Sequence, residues 1–314
     1  MEIKKLNTTI KNIDKIFHIS DIHIRTLKRH KEYSQVFDNM FLYLAQHATR
    51  NSICVVTGDI VHSKLDMSPE LINMLTKFFT GFEIPTIVIL GNHDMNLNNL
   101  YRMDALSPIL DVIQNPNIHF IKENGLFEMA GIVFNHMAVD VAPDNYIKAK
   151  DFDGAYKIAL HHGAVHNAKT DIGFEISNEH VTTDLFAGHD LTLLGDIHKP
   201  AQFLNKEKTI GYPGSLIQQN HGEALDHGLL VWDVPDRTAK FVEIPNDYGY
   251  VTFEVDKSKI TKSPHRVPNK PRVRIKFNDT DASDIKKLIA TIRKKYKVQD
   301  ISIQRTANHI ESNQ

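Results

Sequence analysis

One cysteine is all that this 314-residue chain contains, and a lone thiol builds neither an internal disulfide nor a cysteine metal site. Cys54 stands in the apolar run Ile53-Cys54-Val55-Val56 and reads as a small buried hydrophobe in a reducing compartment. Long hydrophobic runs are missing as well. No stretch approaches the ~18 uninterrupted apolar residues of a transmembrane helix, and the polar, lysine-bearing start from Met1 to Asn12 is no secretory signal. The expectation is a cytoplasmic protein without membrane association. There is no Walker A sequence, so any ATP-driven step must belong to a partner, and there is no internal repeat. Aromatic and basic residues do not interleave as in a dedicated single-strand platform.

What the chain does have is acids and histidines at the ends of apolar runs. In order they are Asp21-Ile22-His23, Gly58-Asp59-Ile60-Val61-His62, Gly91-Asn92-His93-Asp94, His161-His162 and Gly195-Asp196-Ile197-His198. The runs before them are Ile16 to Ile19, Ile53 to Val56, Thr86 to Leu90, Ile158 to Leu160 and Leu191 to Leu194, all short and bounded as buried strands are. Ligands of open α/β sheets gather where strand carboxyl ends meet their loops, so five such ends can converge on one point.

Oxygen and imidazole donors without thiolate suit a hard or borderline ion, Mn²⁺ first with Mg²⁺ as the alternative, while ligand type alone distinguishes Mg²⁺, Fe and Zn²⁺ less well. The donors are too many for one coordination sphere, which argues for two ions and a bridging carboxylate. Two ions about 3.5 to 4 Å apart can hold a phosphoryl oxygen, acidify a water and stabilise the charge of in-line attack. The pattern therefore points to hydrolysis of a phosphate ester.

These motifs resemble the calcineurin-like metallophosphoesterases, with their D-x-H, G-D-x-x-D/H, G-N-H-D, lone His and G-H-x-H segments, from about residue 15 to 200. Ser20-Asp21-Ile22-His23, His62, Leu194 to Pro200 and Tyr212-Pro213-Gly214-Ser215-Leu216 resemble the DNA-repair branch of SbcD and the meiotic recombination nuclease, and most of all the tailed-phage recombination endonuclease subunit. The resemblance implies an α/β fold, a four-layer α-β-β-α sandwich followed by a small α+β capping domain. It also implies one metal on Asp21, His23 and His198, a second on Asn92, His161 and Asp196, and Asp59 as the bridge. His93 is then the general acid or transition-state stabiliser with Asp94 orienting its ring, and His62 contacts the phosphate from the other side. His162 is left as a supporting or substrate-contacting residue.

Asp196 stands where the family has histidine. An aspartate can ligate Mn²⁺ through oxygen and shift preference toward harder ions, or it can weaken the second site. Gly188-His189-Asp190 contains a Gly-His pair but precedes its strand, and reads as a surface turn. His18, inside the first strand, reads as a satisfied core histidine able to support a ligand.

The net charge of −1 hides an asymmetry. Residues 248–314 carry 15 Lys and Arg against 7 Asp and Glu, while residues 1–247 carry 22 against 31. Pro245-Asn246-Asp247 marks the boundary between a catalytic domain, 1–247, and a basic capping domain, 248–314. In the latter, Tyr250 to Val255 and Arg272 to Phe277 read as strands around a loop from Thr261 to Pro271, Asp281 to Lys295 as an amphipathic helix capped by acids, and Val298 to Ile303 as a last strand. In the former, Tyr33 to Thr49, Ser68 to Phe79 and Asn98 to Ile113 read as helices.

Basic residues on an acidic catalytic domain fit a polyanion such as DNA, although a solvated helix face explains them too. The resemblance implies a homodimer and an SMC-like ABC ATPase of the SbcC type as partner. Because the chain ends at Gln314 soon after its last strand, the ATPase-docking segment is expected to be absent. Three readings stay open: a metal-dependent DNA nuclease subunit of recombination and repair, exonuclease or endonuclease; a phosphatase or phosphodiesterase on another substrate; and a DNA-end-binding scaffold weakened by Asp196. If the protein is phage-encoded, its place is the host cytoplasm.

Overall fold

A computed structural model describes residues 2–306. Residues 307–314, with the expected chain end at Gln314, lie outside the described residues. The chain divides into two compact units, Met1–Ile217 with Asp226–Ile244, and Gln218–Leu225 with Pro245–Gln314. Among the described residues, no helix is long and apolar enough to cross a membrane.

The larger unit runs through β1 (Ile3–Lys5), β2 (Lys15–Ile19), α1 (His30–His47), β3 (Ser52–Thr57), α2 (Pro69–Thr80), β4 (Thr86–Ile89), α3 (Ser107–Ile113), β5 (Ile118–Ile121), β6 (Gly125–Met129), β7 (Ile132–Met137), β8 (Tyr156–His162), β9 (Leu191–Gly195), β10 (Gln202–Phe203), β11 (Ile210–Tyr212), β12 (Gly228–Asp233) and β13 (Thr238–Glu243). Its strands form two sheets, ordered β13-β12-β2-β3-β4-β5 and β1-β6-β7-β8-β9-β11-β10. Within them β2 to β5 are parallel, and so are β7, β8 and β9.

Alternation along each strand sorts the side chains into layers. Ile16, Ile53, Val55, Ile87 and Ile89 of the first sheet pack against Phe134, Ile158, Leu160, Leu191 and Leu193 of the second. Phe17, Ile19, Cys54, Val56 and Val88 point the other way, onto helical residues such as Tyr33, Val36, Leu71 and Phe78. Buried on both faces, these strands read as continuous apolar runs. The outer face of the second sheet is covered by loops and 3-10 turns, Pro143–Asn145, Ala149–Asp151 and Thr183–Phe186, that contribute Tyr146 and Phe186. The fourth layer is thus built of turns where the sandwich was expected to carry α-helix.

Ser68 caps α2 by accepting from the Leu71 N–H, with Pro69 at the first helical position. The helix expected from Asn98 begins only at Ser107. Asn96 and Asn99 accept the N–H groups of Asn98 and Tyr101, and Asp104 accepts those of Leu106 and Ser107. These local side-chain bonds hold the segment in turns and defer the helix.

The smaller unit contains β14 (Tyr248–Asp256), β15 (Lys259–Lys262), β16 (Lys270–Asn278), α4 (Ala282–Lys295) and β17 (Asp300–Arg305), in the sheet order β15-β14-β16-β17. Val251, Phe253, Val255, Val273 and Ile275 meet Ile285 and Ile292 of α4 in its core. β15, which overlaps the expected loop, was not legible. It closes a hairpin on β14 through Lys257 and Ser258, both at positive φ, a turn that sequence announces only through Asn or Gly. Asp281 occupies the α4 N-cap position without a side-chain cap bond.

Candidate metal centre

β2, β3, β4, β8 and β9 all end at one place, and their loops continue the ladders in irregular form. Asp21 donates its N–H to the Gly58 carbonyl at 3.1 Å and His23 to the Asp59 carbonyl at 2.9 Å. Asp21, His23, Asp59 and Asp196 have φ of 52°, 50°, 54° and 100°, a left-handed region unusual for non-glycine residues and concentrated here where four candidate ligands sit. Gly58, at φ 86°, leaves room that a Cβ would take from Gly91 and from His162 Nδ1, 2.7 Å away.

The side chains meet closely. Ligand atoms of Asp21, His23 and His198 lie within 4.8 Å of one another, as do those of Asp21, Asp59 and His162, and those of His23, His62 and His93. His23 Nε2 is 3.0 Å from His198 Nε2, 3.8 Å from Asp21 Oδ1 and 3.6 Å from Asp59 Oδ2. On the other side of Asp59, Oδ1 is 3.3 Å from His162 Nε2. Asp196 donates its N–H to both Asp21 oxygens, and its own Oδ1 is 3.9 Å from His162 Nε2. The Asn92 carboxamide lies 3.0 Å from His162 Nε2; turned with its nitrogen inward, it donates to Asp59 Oδ1 at 3.2 Å.

Two expectations are corrected here. His162, not His161, enters the cluster. Along β8, His162 continues the inward face of Ile158 and Leu160, whereas His161 shares the outward face of Ala159, beside Tyr146 and Phe186. His161 Nδ1 bonds the Met137 carbonyl at 3.0 Å, while His162 Nδ1 donates to the Thr57 carbonyl at 2.7 Å, which turns His162 Nε2 toward Asp59 and Asn92. The second correction concerns Asp94. Its Oδ1 accepts from the Ile60 and Val61 N–H groups and its Oδ2 from Gly91, each at 2.9 Å, so it clamps backbone loops. The His93 ring is oriented instead by the His62 carbonyl, 2.8 Å from Nδ1, and the His93 N–H donates to Asp59 Oδ1 at 2.8 Å.

Electrostatics in this buried cluster are unbalanced. Burial first, with Asp59 adding, raises the Asp21 carboxyl to about 6 against the pull of His162 and His198. Burial alone would raise Asp59, yet His162 and His23 hold it well below the usual carboxylate range. Burial opposes a charged His162, but Asp59, Asp21 and Asp196 lift its pKa well above the ordinary value. Burial pushes His23 well below it. Asp196 is raised by burial. Two imidazole nitrogens 3.0 Å apart set lone pair against lone pair unless a proton or cation lies between. Oxygen and imidazole donors of this kind, on buried carboxylates, fit a divalent cation. Cys54 is buried elsewhere with its thiol pKa pushed up, and supplies no ligand.

Nearby residues support the cluster. Tyr33 donates its hydroxyl to the His23 carbonyl. His18 is buried, its Nε2 2.9 Å from Thr57 Oγ1 and its Nδ1 accepting from Trp232. His189 stays outside, half-buried against Asn135 and Phe186. Sequence reasoning passed over Arg25, whose Nη1 is 3.1 Å from His62 Nε2, and Lys64, which donates to the Asn92 carbonyl at 2.9 Å. No motif marks either.

Three relatives stand beside this geometry. The chain is 42% identical over 300 residues, 91% of its length, to an uncharacterized protein of Acanthamoeba polyphaga mimivirus, and spans 22% of that protein's length. It is 25% identical over 252 residues to a protein of Invertebrate iridescent virus 6 with a provisional phosphoesterase name, covering 74% of this chain and 83% of the other. It is 22% identical over 346 residues to the DNA double-strand break repair protein Mre11 of Archaeoglobus fulgidus, covering 95% and 75%. The family pattern described as calcineurin-like phosphoesterase matches residues 14–200, more than half of the chain and every residue of the cluster, and the chain belongs to that family.

Proposed function

We propose that the protein is a divalent-metal-dependent nuclease that hydrolyses phosphodiester bonds of DNA in recombination and repair. The observation that carries this reading is Asp59, whose two oxygens face two different ligand sets, His23 at 3.6 Å and His162 at 3.3 Å. Asp21, His23 and His198 would hold one cation, Asn92, His162 and Asp196 a second, and Asp59 both. Mn²⁺ is the preferred ion and Mg²⁺ the alternative. Cations bound there would supply Lewis-acid polarisation of the phosphoryl group and a lowered pKa for water.

The protein's own residues do the rest. His93, held through Nδ1 by the His62 carbonyl, gives a proton from Nε2 to the departing oxygen as the P–O bond breaks. Asp94 keeps the Gly91 to His93 turn in register with the loop after β3. The Asp196 N–H fixes the rotamer of Asp21.

DNA as substrate is supported by the similarity to Mre11 and by the basic C-terminal region, 15 Lys and Arg against 7 Asp and Glu. A homodimer fits the exposed apolar residues Leu100, Tyr101, Met103 and Val112. An SMC-like ABC ATPase of the SbcC type would supply the ATP-driven opening of DNA. The chain with Mn²⁺ should cleave single- or double-stranded DNA; no cleavage with both cations bound counts against the reading. A second reading, a phosphodiesterase on a small substrate, is favoured by the iridescent virus similarity. It requires turnover of a nitrophenyl diester with DNA untouched. A scaffold silenced at Asp196 requires metal-independent DNA binding without cleavage.

A further inference from the structure

We infer that Arg25 recognises a phosphate flanking the one to be cleaved, and so sets the preference for a polynucleotide over a small phosphoester. This rests on the nucleic-acid reading above. Arg25 lies two residues past His23, and Ile24 bridges Val61 in parallel, which makes Arg25 and His62 neighbours across the bridge. Arginine has no acceptor, so Arg25 Nη1 donates to His62 Nε2 at 3.1 Å, and that imidazole is neutral with its proton on Nδ1.

This contact uses one of five guanidinium N–H groups. The Nε is buried and has no hydrogen-bond partner among the described residues. No carboxylate neutralises Arg25 among those residues, in contrast to Arg29 four positions on, paired with Glu32 at 2.9 Å. Lys64, a further cation beside the cluster, directs one of its three N–H groups to the Asn92 carbonyl. An uncompensated, partly buried guanidinium calls for an anion, and with Nε buried it is the terminal Nη1 and Nη2 edge that can meet a phosphate through two parallel bonds.

Its position says which phosphate. The His62 ring lies 5.8 Å from that of His23 and 5.9 Å from that of His93, and Arg25 stands on the Nε2 edge of His62. The reacting group belongs to His23 and His93. Arg25, one imidazole further out, meets the next charge along a strand, which a simple diester lacks.

The test compares wild type with Arg25→Ala and Arg25→Lys on three substrates with Mn²⁺: a nucleoside nitrophenyl phosphodiester, a short oligonucleotide, and the same oligonucleotide with neutral methylphosphonates flanking the cleaved linkage. In Arg25→Ala the ratio of kcat/KM, oligonucleotide over small diester, should fall about 10- to 100-fold, the worth of one charge-assisted contact. The slope of log affinity against log salt should drop by about one. Methylphosphonates should impair wild type and leave the variant little further to lose, with Arg25→Lys between. A uniform loss on all three substrates, with unchanged melting temperature, would make Arg25 only a positioner of His62 and overturn the proposal, as would no loss. Wild type cleaving the small diester but no oligonucleotide removes the nuclease reading and this proposal together; wild type active on both with an unchanged ratio in Arg25→Ala removes the proposal alone.

Discussion

His162 Nε2 and Asp59 Oδ1 stand 3.3 Å apart, bringing the end of β8 in one sheet against the loop after β3 in the other. The Thr57 carbonyl holds the far nitrogen of the ring. His162→Gln is therefore expected to lose one bound cation and about 100-fold or more in kcat. His161→Gln keeps a donor for the Met137 carbonyl and should retain both cations and activity. Metal stoichiometry on the two purified variants separates them, and the reverse pattern would restore His161 as the ligand.

Asp94 should behave as a structural residue. Its carboxylate accepts three backbone N–H groups, whereas an amide in its place presents one oxygen and two unwanted donors. Asp94→Asn is expected to cost about 3 kcal/mol, or roughly 6 to 12 °C in Tm for a unit of this size. Calorimetry checks it.

Chelation should destabilise the protein. Asp21 and Asp59 are buried together, with Asp196 donating onto Asp21, and a cation that binds only the folded state stabilises by about 2.7 kcal/mol at a hundred times its Kd. Tm should rise with added Mn²⁺ and fall with EDTA. A Tm indifferent to both would speak against a metal centre.

Acid should weaken the fold through buried histidines remote from the cluster. Burial lowers the pKa of His136 from 6.5 to about 4, with the bond to the Glu123 carbonyl opposing. Between those values the unfolded chain binds a proton that the folded chain refuses. The contribution of His136 is thus complete above its unfolded pKa and lost as pH falls toward 4, at about 1.4 kcal/mol per pH unit. His136→Gln should flatten unfolding free energy against pH by that slope.

Asp196→His tests the departure from the family pattern. Replacing oxygen by imidazole should raise affinity for Zn²⁺ relative to Mg²⁺, read by competition with a metal indicator.

The larger unit was legible because its strands are buried on both faces, and each apolar run stops where the acids and histidines begin, as at Leu90-Gly91 and Leu194-Gly195. The order of motifs carried the family. The choice within His161-His162 was not legible: adjacent residues on a strand face opposite ways, and which way is inward depends on how β8 pairs with β7 and β9. Nor did sequence reveal Asp94 as a clamp, since two of its three N–H partners, Ile60 and Val61, belong to a loop 34 and 33 residues earlier. β12, which pairs antiparallel with β2, completes its sheet through a contact more than two hundred residues distant.

Diffraction from crystals grown with Mn²⁺, measured at the manganese edge, tests the central claim most directly. Two anomalous peaks are expected, one on each side of Asp59, one among Asp21, His23 and His198, the other touching His162 and Asn92. A single peak, or peaks that Asp59 does not share, would contradict it.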